Sequence, residues 1–305
     1  MILITYNGVD ITDKVSINRC YHDMYAGGQS DTLHLRVNDA AKLWDAWAPT
    51  AGDEIRIDYG PISTGTMFVT DAIPQNGIFD ITAQSAPKSG FDRQNKTWQK
   101  VRLLQIGDEI AKRNGLSFHS YGVEDRLYSY LSQAEGDLRF LNRIALLEGC
   151  AVLVYDRKLI MYSEQYMETQ EPTETLEVTI DGDYKYQNRS ANLFGSCIVE
   201  SGMYYGKFSV DNGSTRVLMA DSMPGVGSDE EAVRFSRNLL RSANKGCYGG
   251  FVRSLILPGY APASMVELSN ARAPSWDGRV FIDHIRNDYG NGKSKIFFRR
   301  PLEGY

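Results

Sequence analysis

The stretch Thr64–Gln84, TGTMFVTDAIPQNGIFDITAQ, reads as two alternating apolar runs on either side of an Asn76-Gly77 turn, the pattern of an antiparallel β-hairpin. Upstream lie ILITYNGVDIT (2–12), DTLHLRVND (31–39) and GDEIRIDYG (52–60), with Pro49 in the loop before the last of these. Short alternating runs punctuated by turn residues predict antiparallel β structure, a small barrel, over residues 1–88, with Pro87 closing it.

The same series returns towards the other end of the chain. FVRSLILPG leads through a Pro262 loop to SMVELS, then GRVFIDH, an Asn291-Gly292 turn and KIFFRR. The first series runs TLHLRV, the Pro49 loop, GDEIRI, GTMFVTD, the Asn76-Gly77 turn and IFDIT. One such strand pair is common to any meander, but four elements in one order predict an internal duplication. The expected fold class is α+β, mainly β. Two similar small antiparallel β-barrel domains, residues 1–88 and 171–305, flank a small α/β domain over residues 89–170.

Between the repeats the period changes. In QAEGDLRFLNRIALLEGC (133–150), Ala134, Leu138, Leu141 and Ala145, with Phe140, Ile144 and Leu147, recur at helical spacing and predict a core face. Glu135, Asp137, Arg139, Asn142, Arg143 and Glu148 are expected mostly towards water, and Gly149 is placed to end the helix. AVLVYDRKLIMYS then predicts a hairpin with a tight turn at Asp156-Arg157-Lys158. A second helix is read in VRLLQIGDEIAKRNGL, with Leu103, Ile106, Ile110 and Ala111 on one face and Gly115 at its end. TQEPTET reads as a linker. Beyond it, β patterning resumes at LEVTIDGDY and SCIVESGMYYGKFSV, with one inserted helix in SDEEAVRFSRNLLRSANKG. There, Ser228 followed by Glu231 is a capping-box signature and Gly246 ends the run.

A chain of 305 residues with 42% hydrophobic and 23% charged residues has the balance of a water-soluble protein of more than one compact unit. Its apolar runs fall short of the roughly 20 residues that cross a bilayer, so no stable membrane insertion is expected. MILITYNGVD has neither the basic leader nor the apolar length of a signal peptide, so synthesis without export is expected. A net charge of −5, with 33 basic residues spread along the chain, gives no basic stripe and predicts no specific nucleic-acid binding. Cys20, Cys150, Cys197 and Cys247 are too far apart for a C-x-x-C site, no two histidines stand at ligand spacing, and the thiols are expected reduced and buried.

Several chemical readings fail on spacing. Glu135 with Asp137, or Asp277 with Asp283, could pose as acid/base pairs, yet residues two apart on a helix point in different directions. Cys150 with His119 lacks any nucleophile motif. GVGSDEEA lacks the spacing of a phosphate cradle. Trp44 and Trp47 could form a sugar platform, but a barrel lid or subunit contact is the preferred reading. No catalytic, cofactor-binding or metal-binding residue is assigned.

The segment QAEGDLRFLNRIALLEG followed by AVLVYDRKLIMYSE resembles the middle part of baseplate hub proteins of contractile-tailed phages, the late control D family, related to the hub part of type VI secretion spikes. Gln133, Glu135, Asp137, Leu138, Phe140, Leu141, Arg143, Gly149, Lys158 and Leu159 stand at that family's motif positions. DTLHLRVND, WAPTAGDEIRI and TGTMFVT at one end, and the helix, LPG and WDGRVFIDHI at the other, extend the resemblance over most of the chain. Gly136, Arg157 and ASMVELS depart from the family pattern. The resemblance implies tail-tube-like barrels and no enzymatic activity. It implies a homotrimer that joins a six-fold tail tube ring to a three-fold central spike, alongside other baseplate proteins. The expected location is the bacterial cytoplasm during assembly, then the baseplate of a phage or a bacteriocin-like particle. A tail-borne cell-wall hydrolase, or another tail tube or adaptor protein, is the alternative. Three subunits with two similar barrels each would present six units to a hexameric ring.

Overall fold

The computed structural model describes residues 2–179, 182–221 and 225–305. The N-terminal part carries β1 (Ile2–Tyr6), β2 (Val9–Asp10), β3 (Ser16–Tyr25), β4 (Thr32–Asn38), the short helix α1 (Leu43–Trp47), β5 (Glu54–Tyr59), β6 (Ile62–Ser63), β7 (Met67–Gln75) and β8 (Ile78–Gln84). Alternation sets the facing: Leu33, Leu35 and Val37, Ile55 and Ile57, Met67 and Val69, and Phe79, Ile81 and Ala83 all point into one core. Trp44 on α1 lies over this core, edge-on to Tyr6 and against Phe79, and Trp47 packs beside it.

The middle part contains β9 (Lys96–Arg102), α2 (Leu103–Arg113), β10 (Ser117–Tyr121), β11 (Leu127–Gln133), α3 (Asp137–Leu147), β12 (Cys150–Tyr155), β13 (Lys158–Ser163) and α4 (Glu164–Thr169). Both helices pack their apolar faces against the sheet β10-β13-β12, burying Leu138, Leu141, Ile144, Ile106 and Ile110. The hairpin turns at Asp156 and Arg157, both with positive φ. The structure corrects the expected start of α3 and the expected solvation of two of its acidic residues. The helix starts at Asp137, not Gln133: Gln133 ends β11 opposite Lys96 of β9, and Ala134 is exposed. Gly136 turns the chain so close to Phe91 that a Cβ would stand 2.6 Å from the Phe91 carbonyl oxygen. Finally, Asp137 is buried rather than solvated, and Glu148 lies against Arg234 at 2.8 Å.

The C-terminal part contains β14 (Thr175–Glu177), β15 (Tyr184–Asn188), β16 (Ser196–Ser201), β17 (Tyr204–Ser209), β18 (Val217–Asp221), α5 (Asp229–Asn244), β19 (Tyr248–Leu255), β20 (Met265–Ser269), β21 (Gly278–Asp288) and β22 (Lys293–Arg299). The strand expected over LEVTIDGDY passes through residues 180 and 181, which lie outside the described residues. What reads as one inserted helix is a larger insertion: β17-β16-β18 form their own sheet, and α5 packs on it and on α3 through Phe235, Leu240 and Leu147. The helix begins with Ser228 accepting the N–H of Glu231 at 3.2 Å, while the Glu231 carboxylate accepts from Gly227 at 2.6 Å, a capping box displaced by one residue.

The two end segments share one fourteen-stranded sheet of order β15-β19-β22-β21-β3-β4-β8-β7-β5-β1-β2, with β20 on β21, β14 on β20 and β6 on β5. The protein is thus mainly β with a large, chiefly antiparallel sheet. The described strands leave this ladder open between β15 and β2 rather than closing it as a barrel. Within it the order β4-β8-β7-β5 recurs as β19-β22-β21-β20. The repetition reaches single residues. A bulge separates Val69 from Asp71 in GTMFVTD, and one separates Ile282 from His284 at the same place in GRVFIDH. Gly52 and Ala263, both at positive φ, donate to the carbonyls of Val69 and Ile282, whose own N–H groups reach Asp53 and Ser264.

Candidate assembly surface

The posed catalytic pairs are held apart or otherwise employed. Asp137 accepts from Gln133 at 2.7 Å and Asn114 at 3.0 Å and lies 3.3 Å from Arg113, so it ties α3 to β11 and α2. Glu135 pairs with Arg143 at 2.8 Å. Asp283 meets Arg299 at 3.1 Å, whereas Asp277 accepts the backbone N–H of Asn270 at 2.7 Å. Cys150 is buried, and burial pushes its thiol up to about 12. His119 pairs with Ile160 and Cys150 with Ser163, two strands apart and three residues along, which strand spacings make ~14 Å. All four cysteines are buried and free, and no cluster of metal-ligating side chains occurs among the described residues. No helix among them is long and apolar enough to cross a membrane.

What the fold concentrates instead is polar chemistry where its parts join. At the β3–β21 junction, Tyr25 to Tyr21 run antiparallel to His284 to Asp288. The Asp23 side chain, 2% exposed, meets His284 Nε2 at 2.7 Å and accepts from Arg286 Nε at 2.8 Å. Burial opposes its ionisation, but the hydrogen bonds from His284 and Arg286 outweigh it and hold the carboxyl below its usual value. His284 is stacked between Tyr25 at 4.5 Å and Phe297 at 4.6 Å. Beside them His22 is fully buried, and burial lowers its imidazole to about 4, which keeps it neutral against the Tyr289 hydroxyl.

A second cluster fastens α4 to both neighbours. Glu168 pairs with Arg299 of β22 and lies 2.6 Å from Arg241 of α5, while Glu164 meets Lys245 at 2.7 Å. Arg299 and Arg241 are almost completely buried. The Arg241 contact is an ion pair without a directed hydrogen bond. Sequence reasoning missed Asp23, Glu168, Arg241, Arg286 and Arg299. Their partners lie far apart along the chain, and the one local signal was arginine ending an apolar strand, KIFFRR.

No protein-family model matches the sequence, and no curated protein matches it. Solved structures do. A 43 kDa tail protein of prophage MuSo2 from Shewanella oneidensis superposes with a TM-score of 0.77 at 13% identity, covering 98% of each chain. A tail protein from Neisseria meningitidis MC58 gives 0.76 at 10% identity, covering 98% of this chain and 96% of that one. The Escherichia coli c3393 protein, a component of the type VI secretion system, gives 0.64 at 12% identity, covering 99% and 78%. This chain therefore shares its fold, end to end, with phage tail proteins and a type VI secretion component.

Proposed function

We propose that this protein is a structural baseplate hub of a contractile injection particle, acting without catalysis. Its assembled form is a homotrimer that adapts a six-fold tail tube ring on one side to a three-fold central spike on the other, with other baseplate proteins around it. The reading divides the chain into tube-like units over 1–88 and 171–305 and a scaffold unit over 89–170. The observation that carries it is the repeated order β4-β8-β7-β5 and β19-β22-β21-β20 with the bulge at the same position in each. Two equivalent units per chain are what a trimer needs to face a hexamer, because three copies then offer six docking elements. Full-length likeness in fold to tail proteins supports the same role. The test is deletion of the protein from its particle, followed by negative-stain imaging. Loss of the spike and of joined tubes is expected; particles with spike and tube in place would overturn the proposal.

A further inference from the structure

The two halves of the internal repeat are unequal at two sheet edges. In β21 the outer edge pairs with β20 up to Ile282; after the bulge, β3 takes over from His284 to Asp288. In β7 the outer edge pairs with the β5 segment up to Val69, and after the bulge nothing among the described strands takes over Asp71 to Gln75. The repeat's counterpart of β3 is β15, because β3 pairs with β4 as β15 pairs with β19. β15 in turn ends the sheet, with its far edge unpaired among the described strands. The chain therefore makes the β3–β21 junction once within itself and carries both halves of a second such junction too far apart in the sheet order to meet.

Resting on the trimer reading above, we infer that β7 of one protomer pairs antiparallel with β15 of the next, closing the ring through three copies of the junction that each chain forms internally. The internal register transfers directly. Tyr25 opposite His284 becomes Arg189 opposite Asp71, Asp23 opposite Arg286 becomes Gln187 opposite Ile73, and Tyr21 opposite Asp288 becomes Lys185 opposite Gln75.

Backbone directions agree with this register. Asp183 accepts from Arg253 and Arg189 donates to Cys247, so odd-numbered residues of this strand face β19, and the N–H and C=O groups of Tyr184, Tyr186 and Asn188 face outward. The two-residue turn pairs Gln75 with Ile78, so Ala72 and Pro74 face outward from β7. Those are the counterparts of Ile285 and Asn287, which face β3 in the internal junction. Side chains agree as well: exposed Asp71 comes opposite exposed Arg189, a favourable cross-strand pair, and Ile73, 51% exposed, gains a neighbour. Pro74 lacks an N–H, so this ladder has one bond fewer than its internal counterpart, which makes it the weaker of the two.

Ile73 opposite Gln187 is a non-hydrogen-bonded pair, whose Cα separation of about 4.5 Å suits a disulfide. The experiment is mild oxidation of the full-length chain carrying Ile73→Cys and Gln187→Cys, at high concentration, read on non-reducing gels and by native mass spectrometry. The four natural cysteines are buried and give little background. Covalent dimers and a closed covalent trimer are expected, with each single variant alone giving none. The shifted pair Ile73→Cys with Lys185→Cys sits about 7–8 Å apart in this register and is expected to stay unlinked. Cross-linking of the shifted pair as readily as the aligned one would overturn the register. A trimer by mass without the Ile73 to Gln187 bond would overturn the edge pairing and leave the hub reading intact. A chain that stays monomeric and unlinked would overturn the pairing as a property of these edges, and the hub reading would then be judged by copy number in the particle.

Discussion

Glu168 is the residue through which α4 of the middle part holds α5 and β22 of the C-terminal part. It faces two buried guanidinium groups, Arg299 and Arg241, and its other oxygen accepts the N–H of Leu302 at 3.1 Å. Glu168→Gln keeps the shape and removes the charge. Arg299 retains Asp283 at 3.1 Å, but Arg241 keeps no other ion-pair partner among the described residues. Stranding a buried charge costs about 3–5 kcal/mol. With an unfolding entropy of roughly 2.1 cal/mol/K per residue, a chain of 305 residues melting as a unit loses about 1.6 °C per kcal/mol, so Tm should fall by about 5–8 °C. Calorimetry measures this directly. Adding Arg241→Met should recover part of the loss, since it removes the stranded cation. A fall below about 1 °C for Glu168→Gln would show that the two cations do not depend on this carboxylate.

Two further outcomes are expected. Leu141→Ala, at a fully buried site in the middle core, should cost about 2–5 kcal/mol in urea unfolding, and a loss below about half a kcal/mol would contradict its place there. Burial pushes the Asp31 carboxyl up to about 7. Between about pH 4 and 7 the unfolded chain releases this proton and the folded one holds it, so its contribution to stability falls as pH rises through that window and levels off above it. Asp31→Asn should remove that slope, and the difference in Tm between wild type and variant, followed from pH 4.5 to 8, should change in the variant's favour. A difference independent of pH would contradict the assignment.

The sequence made legible whatever repeats locally. Period-two alternation predicted the facing of Leu33 to Val37 and Phe79 to Ala83. The recurrence of GTMFVTD as GRVFIDH predicted a shared strand order. Helical spacing placed Leu138, Leu141 and Ile144 in the core, where they are. It misplaced the start of α3, because counting apolar residues does not reveal that Gln133 pairs with Lys96 or that Gly136 abuts Phe91. The β9–β11 ribbon was missed since KTWQKVR and LYSYLSQ are too polar to show a buried face. The β16–β18 insertion read as part of the last β unit because its strands have the same alternation; only pairing separates them. The buried ion pairs were invisible for a different reason: Glu168 meets Arg241 and Arg299 across distant stretches of chain, and such partners are chosen by topology rather than by spacing.

On the proposed hub function, two equivalent sheet units per chain serve to match symmetries. The most direct measurement is a cryo-electron microscopy reconstruction of the assembled particle that counts copies of this protein and locates them. Three copies are expected on the central axis, between a six-fold tube and a three-fold spike, with both sheet units of each copy facing the tube ring. Six copies, or a lateral position off the axis, would contradict it.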